Sequence, residues 1–357
     1  MISHEIMSGP HGPALSRVPG DAGALAELVR GQYGDDQYGG RHGGGRQDGR
    51  IRDLAALLAE QRPLHHLLPL LERVPAEPDA WAELVACLAQ ELVVRRVNLA
   101  RVPAAVRCAA ALRELGHPLA GLPLKRTRAE RQADAACSGP GWTPYRRLPV
   151  PEHPEITRLL QDPAGPEGPV AGGGGERPTP RWDAWLARGG APGRGAEIVS
   201  TREDGRLITA AVEHWSSPGE AMIIELPRCL DPRGLVPLGV NTFLPDAFGA
   251  RIALNGERAG LSAVVGELFT MAYCDATYSR GLRGGYGRLK AWQSVAGFVR
   301  APAEASVHRV NELAARWRWM AFRTTRRQPY WVYQELAIGA LSPRGDVLSL
   351  LVSHDTD

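Results

Sequence analysis

The sequence predicts an α+β protein: a helical N-terminal domain, then a mixed domain in which helices pack on a small, mainly antiparallel sheet. Three observations carry that prediction. Apolar residues recur at helical spacing before residue 162. A run rich in proline and glycine, PAGPEGPVAGGGGERPTP, fills most of residues 162–180. Short runs rich in β-branched residues appear only after it. A chain of 357 residues that is 44% hydrophobic and 23% charged carries enough apolar material for two such domains.

Residues 1–50 are expected to be a flexible region with room for one short helix, because residues 31–49 (GQYGDDQYGGRHGGGRQDG) have almost nothing to bury. Residues 51–161 read as a helical bundle, with helical periodicity over 51–60, 64–74 and 102–115. The clearest helix starts behind Pro78-Asp79. There Trp81, Leu84, Val85, Leu88 and Leu92 form one stripe, and Glu83, Gln90 and Glu91 are expected to point away from it. Cys87 and Cys108 sit among apolar helical residues and read as core. Residues 162–180 are the expected linker, and residues 181–357 the α+β domain.

Within that second domain, residues 206–215 (RLITAAVEHW) and 221–226 (AMIIEL) read as two strands joined by Ser216-Ser217-Pro218-Gly219. Leu261, Val264, Val265, Leu268, Phe269, Ala272 and Tyr273 mark an amphipathic helix. Further helices are predicted at 288–300 and 306–317. Late strands at 331–338 and 347–352 flank a turn at Pro343-Arg344-Gly345.

Charge is segregated along the chain. From Arg280 to Trp331 there are eleven cations and two anions, net +9, whereas the whole chain is +3, so the remainder carries −6. Trp292, Trp317, Trp319 and Trp331 are interleaved with those cations, a pattern suited to an anionic partner with planar groups. The glycines at 281, 284, 285 and 287 open a helix whose first N–H groups suit an anion, although neither GxxxxGK[ST] nor GxGxxG is present. The anion-binding candidates are therefore Arg283, Gly284, Gly285, Arg288, Lys290, Arg316, Arg318, Arg326 and Arg327, with Trp319 and Tyr330 as stacking candidates. The competing explanation is a solvated basic face over buried aromatics, in a chain where all but two of the 42 basic residues are arginine, as GC-rich codon usage produces.

Catalytic and metal-ligating patterns are poor. Glu213-His214, Cys274-Asp275 and His354-Asp355 are neighbours in sequence rather than facing groups, and no serine sits in a G-x-S-x-G elbow. No catalytic residue, metal or cofactor is predicted. The five cysteines are scattered without a CxxC pair and read as reduced thiols. No apolar run approaches the roughly 18 residues of a membrane span, and residues 1–13 lack the basic and apolar regions of a signal peptide. A cytoplasmic protein without a membrane partner is expected.

The run Gly284-Gly285-Tyr286-Gly287-Arg288-Leu289, then Ala291-Trp292, Ser294-Val295-Ala296, the aromatics of residues 317–322 and 331–333, and the closing Asp355-Thr356-Asp357 resembles an uncharacterised actinobacterial domain-of-unknown-function family over the last hundred or so residues. That resemblance implies a bacterial origin and a folded C-terminal unit, and it assigns no functional residue. The residues themselves favour a non-catalytic interaction protein whose C-terminal basic face engages an acidic protein or a nucleic acid. The alternatives are an enzyme with a site assembled near His214, Asp275 and the Gly281–Gly287 loop, and a purely structural subunit of a larger assembly.

Overall fold

The computed structural model describes residues 44–95, 97–136, 197–215, 220–226, 229, 254–274, 281–324 and 332–356. The N-terminal part is helical: α1 (Gly44–Gln61), α2 (Leu64–Glu72), α3 (Ala80–Val94), α4 (Pro103–Glu114) and α5 (Arg128–Ala136), with 3₁₀ turns at Leu99–Arg101 and Pro118–Gly121. Helix α1 begins inside the glycine-rich stretch expected to remain open. Ile51, Leu54 and Leu58 bury against the other helices and hold it, so tertiary packing outweighs the poor propensity of its first residues. Asp79 caps α3 as its position predicts, its carboxylate accepting from the Ala82 N–H at 2.9 Å. Helix α5 is polar over most of its length, and it buries Ala129 and Ala133, one turn apart, in the core under the sheet.

The C-terminal part contains β1 (Glu197–Ile198), α6 (Arg202–Ile208), a 3₁₀ turn (Ala210–Val212), β2 (Glu220–Glu225), β3 (Leu254–Ala259), α7 (Leu261–Tyr273), α8 (Arg283–Phe298), α9 (Val307–Ala314), β4 (Arg318–Thr324), β5 (Val332–Leu341) and β6 (Val347–Thr356). The strand expected over 206–215 is instead α6 and the turn after it. A capping box decides this locally: the Thr201 hydroxyl accepts from the Asp204 N–H and the Asp204 carboxylate accepts from the Thr201 N–H. The pairing expected between 206–215 and 221–226 is therefore absent. β2 pairs with β1 and β6, while the turn expected at 216–219 lies outside the described residues.

The six strands form one antiparallel sheet in the order β1-β2-β6-β5-β4-β3. Its helix-covered face contributes Ile223, Trp319, Leu336, Ile338 and Leu351 to a core shared with Phe269 of α7 and Phe298 of α8. The alternate positions Met320, Leu348 and Leu350 are buried as well, which explains why β6 is apolar on both faces through Val352 apart from Ser349. The predicted β5–β6 turn is present. The Ser342 hydroxyl accepts from the N–H groups of Gly345, Asp346 and Val347, and Gly345 takes φ +79°.

The expected linker, 162–180, lies outside the described residues. Elements before and after it share buried surface: Val94, Ala129 and Ala133 belong to the core under the sheet, while Tyr286, Leu289 and Val307 pack on the N-terminal helices. Helix α3 is enclosed by α1, α4 and α8. Gln90 and Glu91 are consequently buried, 3% and 1% exposed, rather than pointing to solvent. No described helix is long and apolar enough to cross a membrane.

Candidate binding site

The glycine-rich start of α8 is shaped by close approach. A Cβ at Gly281 would stand 2.0 Å from the Tyr273 carbonyl oxygen, and one at Gly284 would stand 2.7 Å from the Glu91 carboxyl carbon. The Gly284 N–H donates to Glu91 Oε1 at 2.5 Å. The helix start expected to face an external anion thus holds the chain's own Glu91 carboxylate. Gly285 is also buried, against Leu119 and α3, so neither glycine is open to a partner. Burial pushes the Glu91 carboxyl above its ordinary value, an effect that Arg95 and the Gly284 N–H only partly oppose.

Arg283 begins α8 at φ +58°, a left-handed conformation that costs a non-glycine residue about 1–3 kcal/mol. The residue is 3% exposed, and its side chain donates through Nε to Asp53 Oδ1 at 2.7 Å and through Nη1 to the Tyr273 carbonyl at 3.3 Å. Arg288 is buried more completely. Its guanidinium donates to Glu130 Oε1 (2.6 Å) and Oε2 (3.0 Å), Gln90 Oε1 (2.6 Å), and the carbonyls of Pro123 (2.6 Å) and Lys125 (3.0 Å). Every N–H of the fork is used. Burial alone would raise Glu130, but the Arg288 charge and hydrogen bonds, with those from Thr127 and Trp292, outweigh it and hold its carboxyl below the usual value. Lys290 is paired with Glu213 at 2.8 Å. Arg283 and Arg288 therefore tie α8 to the N-terminal helices and present nothing to an external anion, which corrects the role expected of them.

A neighbouring half-buried cluster has the same internal character. Glu83 Oε2 accepts from the Tyr286 hydroxyl at 2.9 Å and lies 3.0 Å from His117 Nε2. His117 Nδ1 accepts from the Leu119 N–H at 3.2 Å, so Nε2 carries the proton and donates to Glu83. Burial opposes the Glu83 charge, yet His117, Tyr286 and Arg52 together bring its carboxyl below the ordinary value. The Cys87 thiol donates to Glu83 Oε1 at 3.3 Å, and burial drives it well above the usual thiol range, the reverse of an activated nucleophile.

The later part of the cation-rich segment faces outward. Arg316, just after α9, and Arg318, opening β4, are exposed, and their guanidinium groups make no ion pair or hydrogen bond among the described residues. Between them the chain turns from helix to strand, so the RWRW run alternates sides. Trp319 is 3% exposed, stacks edge-on to Phe298 and donates its Nε1–H to the Ala314 carbonyl at 2.9 Å. It is a core residue and cannot stack on a base, a correction to its expected role. Arg326, Arg327 and Tyr330 lie outside the described residues. Of the group named for an enzymatic site, His214 Nε2 is 3.3 Å from the Cys274 carbonyl oxygen, and Asp275 lies outside the described residues.

A family model described as a family of unknown function, DUF6183, matches residues 14–357. The chain belongs to that family. The match runs through the N-terminal helices as well as the last hundred residues, so α3 and its acids are as much part of the DUF6183 unit as the glycine-rich helix. No curated protein and no solved structure matches the chain. In this DUF6183 chain the decisive residues missed from sequence are the acids Asp53, Glu91 and Glu130. Glu91 carried a signal, since it lies in a helix with apolar residues on nearly every side. Glu130 carried only a local one, the Thr127-x-x-Glu130 capping box whose two bonds open α5, and Asp53 carried none; their arginine partners are 158 and 230 residues away.

Proposed function

We propose that this protein is a non-catalytic interaction protein of the bacterial cytoplasm that binds an acidic protein surface through cations exposed around the end of α9 and the start of β4. One observation carries the reading. Within a single cation-rich segment Arg283, Arg288 and Lys290 each meet an internal carboxylate, while Arg316 and Arg318 are exposed and have no ion pair among the described residues. Exposed arginines without a partner add little to stability and remain free to form bidentate bonds with carboxylates of another molecule. The burial of Trp319 favours protein over nucleic acid, since it removes the stacking surface that would hold an unpaired base. The test is the double variant Arg316→Glu/Arg318→Glu. The parent is expected to bind poly-glutamate at low ionic strength in a salt-sensitive way, and the double variant to lose that binding with an unchanged unfolding midpoint. Parent-like binding by the folded double variant sinks the proposal.

A further inference from the structure

A groove of about 380 Å³ opens between α4, the segment after the Pro118–Gly121 turn, and the first turn of α9. Its floor and walls include Val106, Ala109, Ala110, Leu122 and Val307, and no acidic side chain lines it. Val106 is 46% exposed, the highest exposure among the described large hydrophobic residues. The chain around the groove is basic. Between residues 98 and 126 the exposed charged side chains are Arg101, Arg107, Arg113 and Lys125 against Glu114, and Arg113 itself lines the groove. On the opposite wall His308 and Arg309 share Glu312. The eight residues of α9 span about 12 Å, so the exposed Arg316 and Arg318 follow its far end, about one helix length from the groove.

We propose that this groove receives an acidic amphipathic helix of a partner protein, its apolar stripe on Val106, Ala110 and Leu122 and its flanking carboxylates on Arg101, Arg107, Arg113 and Lys125. The proposal rests on the reading above, that the partner is an acidic protein, and specifies the form in which it is read. Three features select this occupant. Most of the lining is apolar, and residues repeating at i, i+3, i+4 and i+7 fit a shallow apolar groove between helical walls, with Arg113 left to meet a carboxylate at the edge of that stripe. A helix satisfies its own backbone N–H and C=O groups, and an extended peptide would bring them unpaired against an apolar lining. The excess of exposed cations on the α4 side matches acidic flanks and disfavours a basic or neutral helix.

The experiment measures binding of the full chain to four probes: a synthetic helical peptide with leucines on one stripe and glutamates elsewhere, a scrambled peptide of the same composition, poly-glutamate, and single-stranded RNA. The patterned peptide is expected to bind about tenfold tighter than the scrambled one, the size of one buried apolar side chain. Val106→Gln and, separately, Ala110→Gln are expected to remove that advantage while leaving poly-glutamate binding unchanged. Both positions are exposed, so circular dichroism will show a parent-like fold. Equal binding of the two peptides, or an advantage that survives both substitutions, overturns the groove and leaves the basic surface of α9 and β4 standing. Loss of all binding to peptides and poly-glutamate overturns the underlying reading as well, and binding to RNA alone places the partner in the wrong chemical class.

Discussion

Arg288 and Arg318 belong to the same cation-rich segment and experience opposite surroundings. Around Arg288, Glu130, Gln90 and two carbonyls close over the guanidinium, and the ion is 1% exposed. Around Arg318 there is solvent and no ion pair among the described residues. The first arginine is part of how the helices are held together. The second contributes charge to the surface and almost nothing to the fold. A run of like charges along a chain therefore says little about function until each charge is matched with what faces it, because a buried cation requires a carboxylate whereas an exposed one is satisfied by water.

The contrast is broken most severely at its buried end. Arg288→Met leaves Glu130 buried without its cation, and chemical denaturation is expected to show a loss of about 3–5 kcal/mol, the range for removing one partner of a buried pair. A loss under 1 kcal/mol would mean that Glu130 takes up a proton or water at little cost, and that the pair is not structurally decisive. Next in size is Gly281→Ala. A methyl group there meets the Tyr273 and Cys274 backbone, and a destabilisation of about 1–3 kcal/mol is expected. An unchanged melting temperature would show that the α7–α8 approach is looser than the contact distances imply.

A pH series separates the two buried glutamates. Glu130 is held below its ordinary value, so its contribution is present above the unfolded glutamate value and is lost as pH falls through the folded one. Glu91 is raised, so its contribution is present below the unfolded value and is lost as pH rises through the folded one. Glu91→Gln keeps an acceptor for the Gly284 N–H and removes the charge. The variant is expected to gain stability relative to the parent as pH rises from acid to neutral, while Glu130→Gln loses ground over the same interval. Parallel pH curves for both variants and the parent would sink this assignment. The smallest stability effect belongs to the exposed end: Arg316→Glu/Arg318→Glu is expected to shift stability by about 0.5 kcal/mol or less, the usual range for surface positions. A larger loss would place these arginines with Arg288 instead of against it.

Much of the fold was legible because its signals are local. Asp79 behind Pro78, the stripe from Leu261 to Tyr273, and the Pro343-Arg344-Gly345 turn each act within a few residues, and each stands where the pattern places it. The segment 206–215 misled because β-branched residues spoke for a strand while the capping box that decides for helix lies just upstream, at Thr201 and Asp204. Gln90 and Glu91 misled because polarity in a helix ordinarily means solvent, and here it meets a glycine-rich helix from the other end of the chain.

By itself the sequence determined the class of fold, the caps and turns, and the total charge of the cation-rich segment, all of which depend on residue type and near neighbours. Tertiary structure alone decided where that charge is available. Asp53 reaches Arg283 and Glu130 reaches Arg288 only when α1 and α5 dock on α8, and no local pattern encodes a contact across such separations. The physical reason is that a charge is cancelled by proximity in space, within a few ångströms, whereas composition records only its presence in the chain.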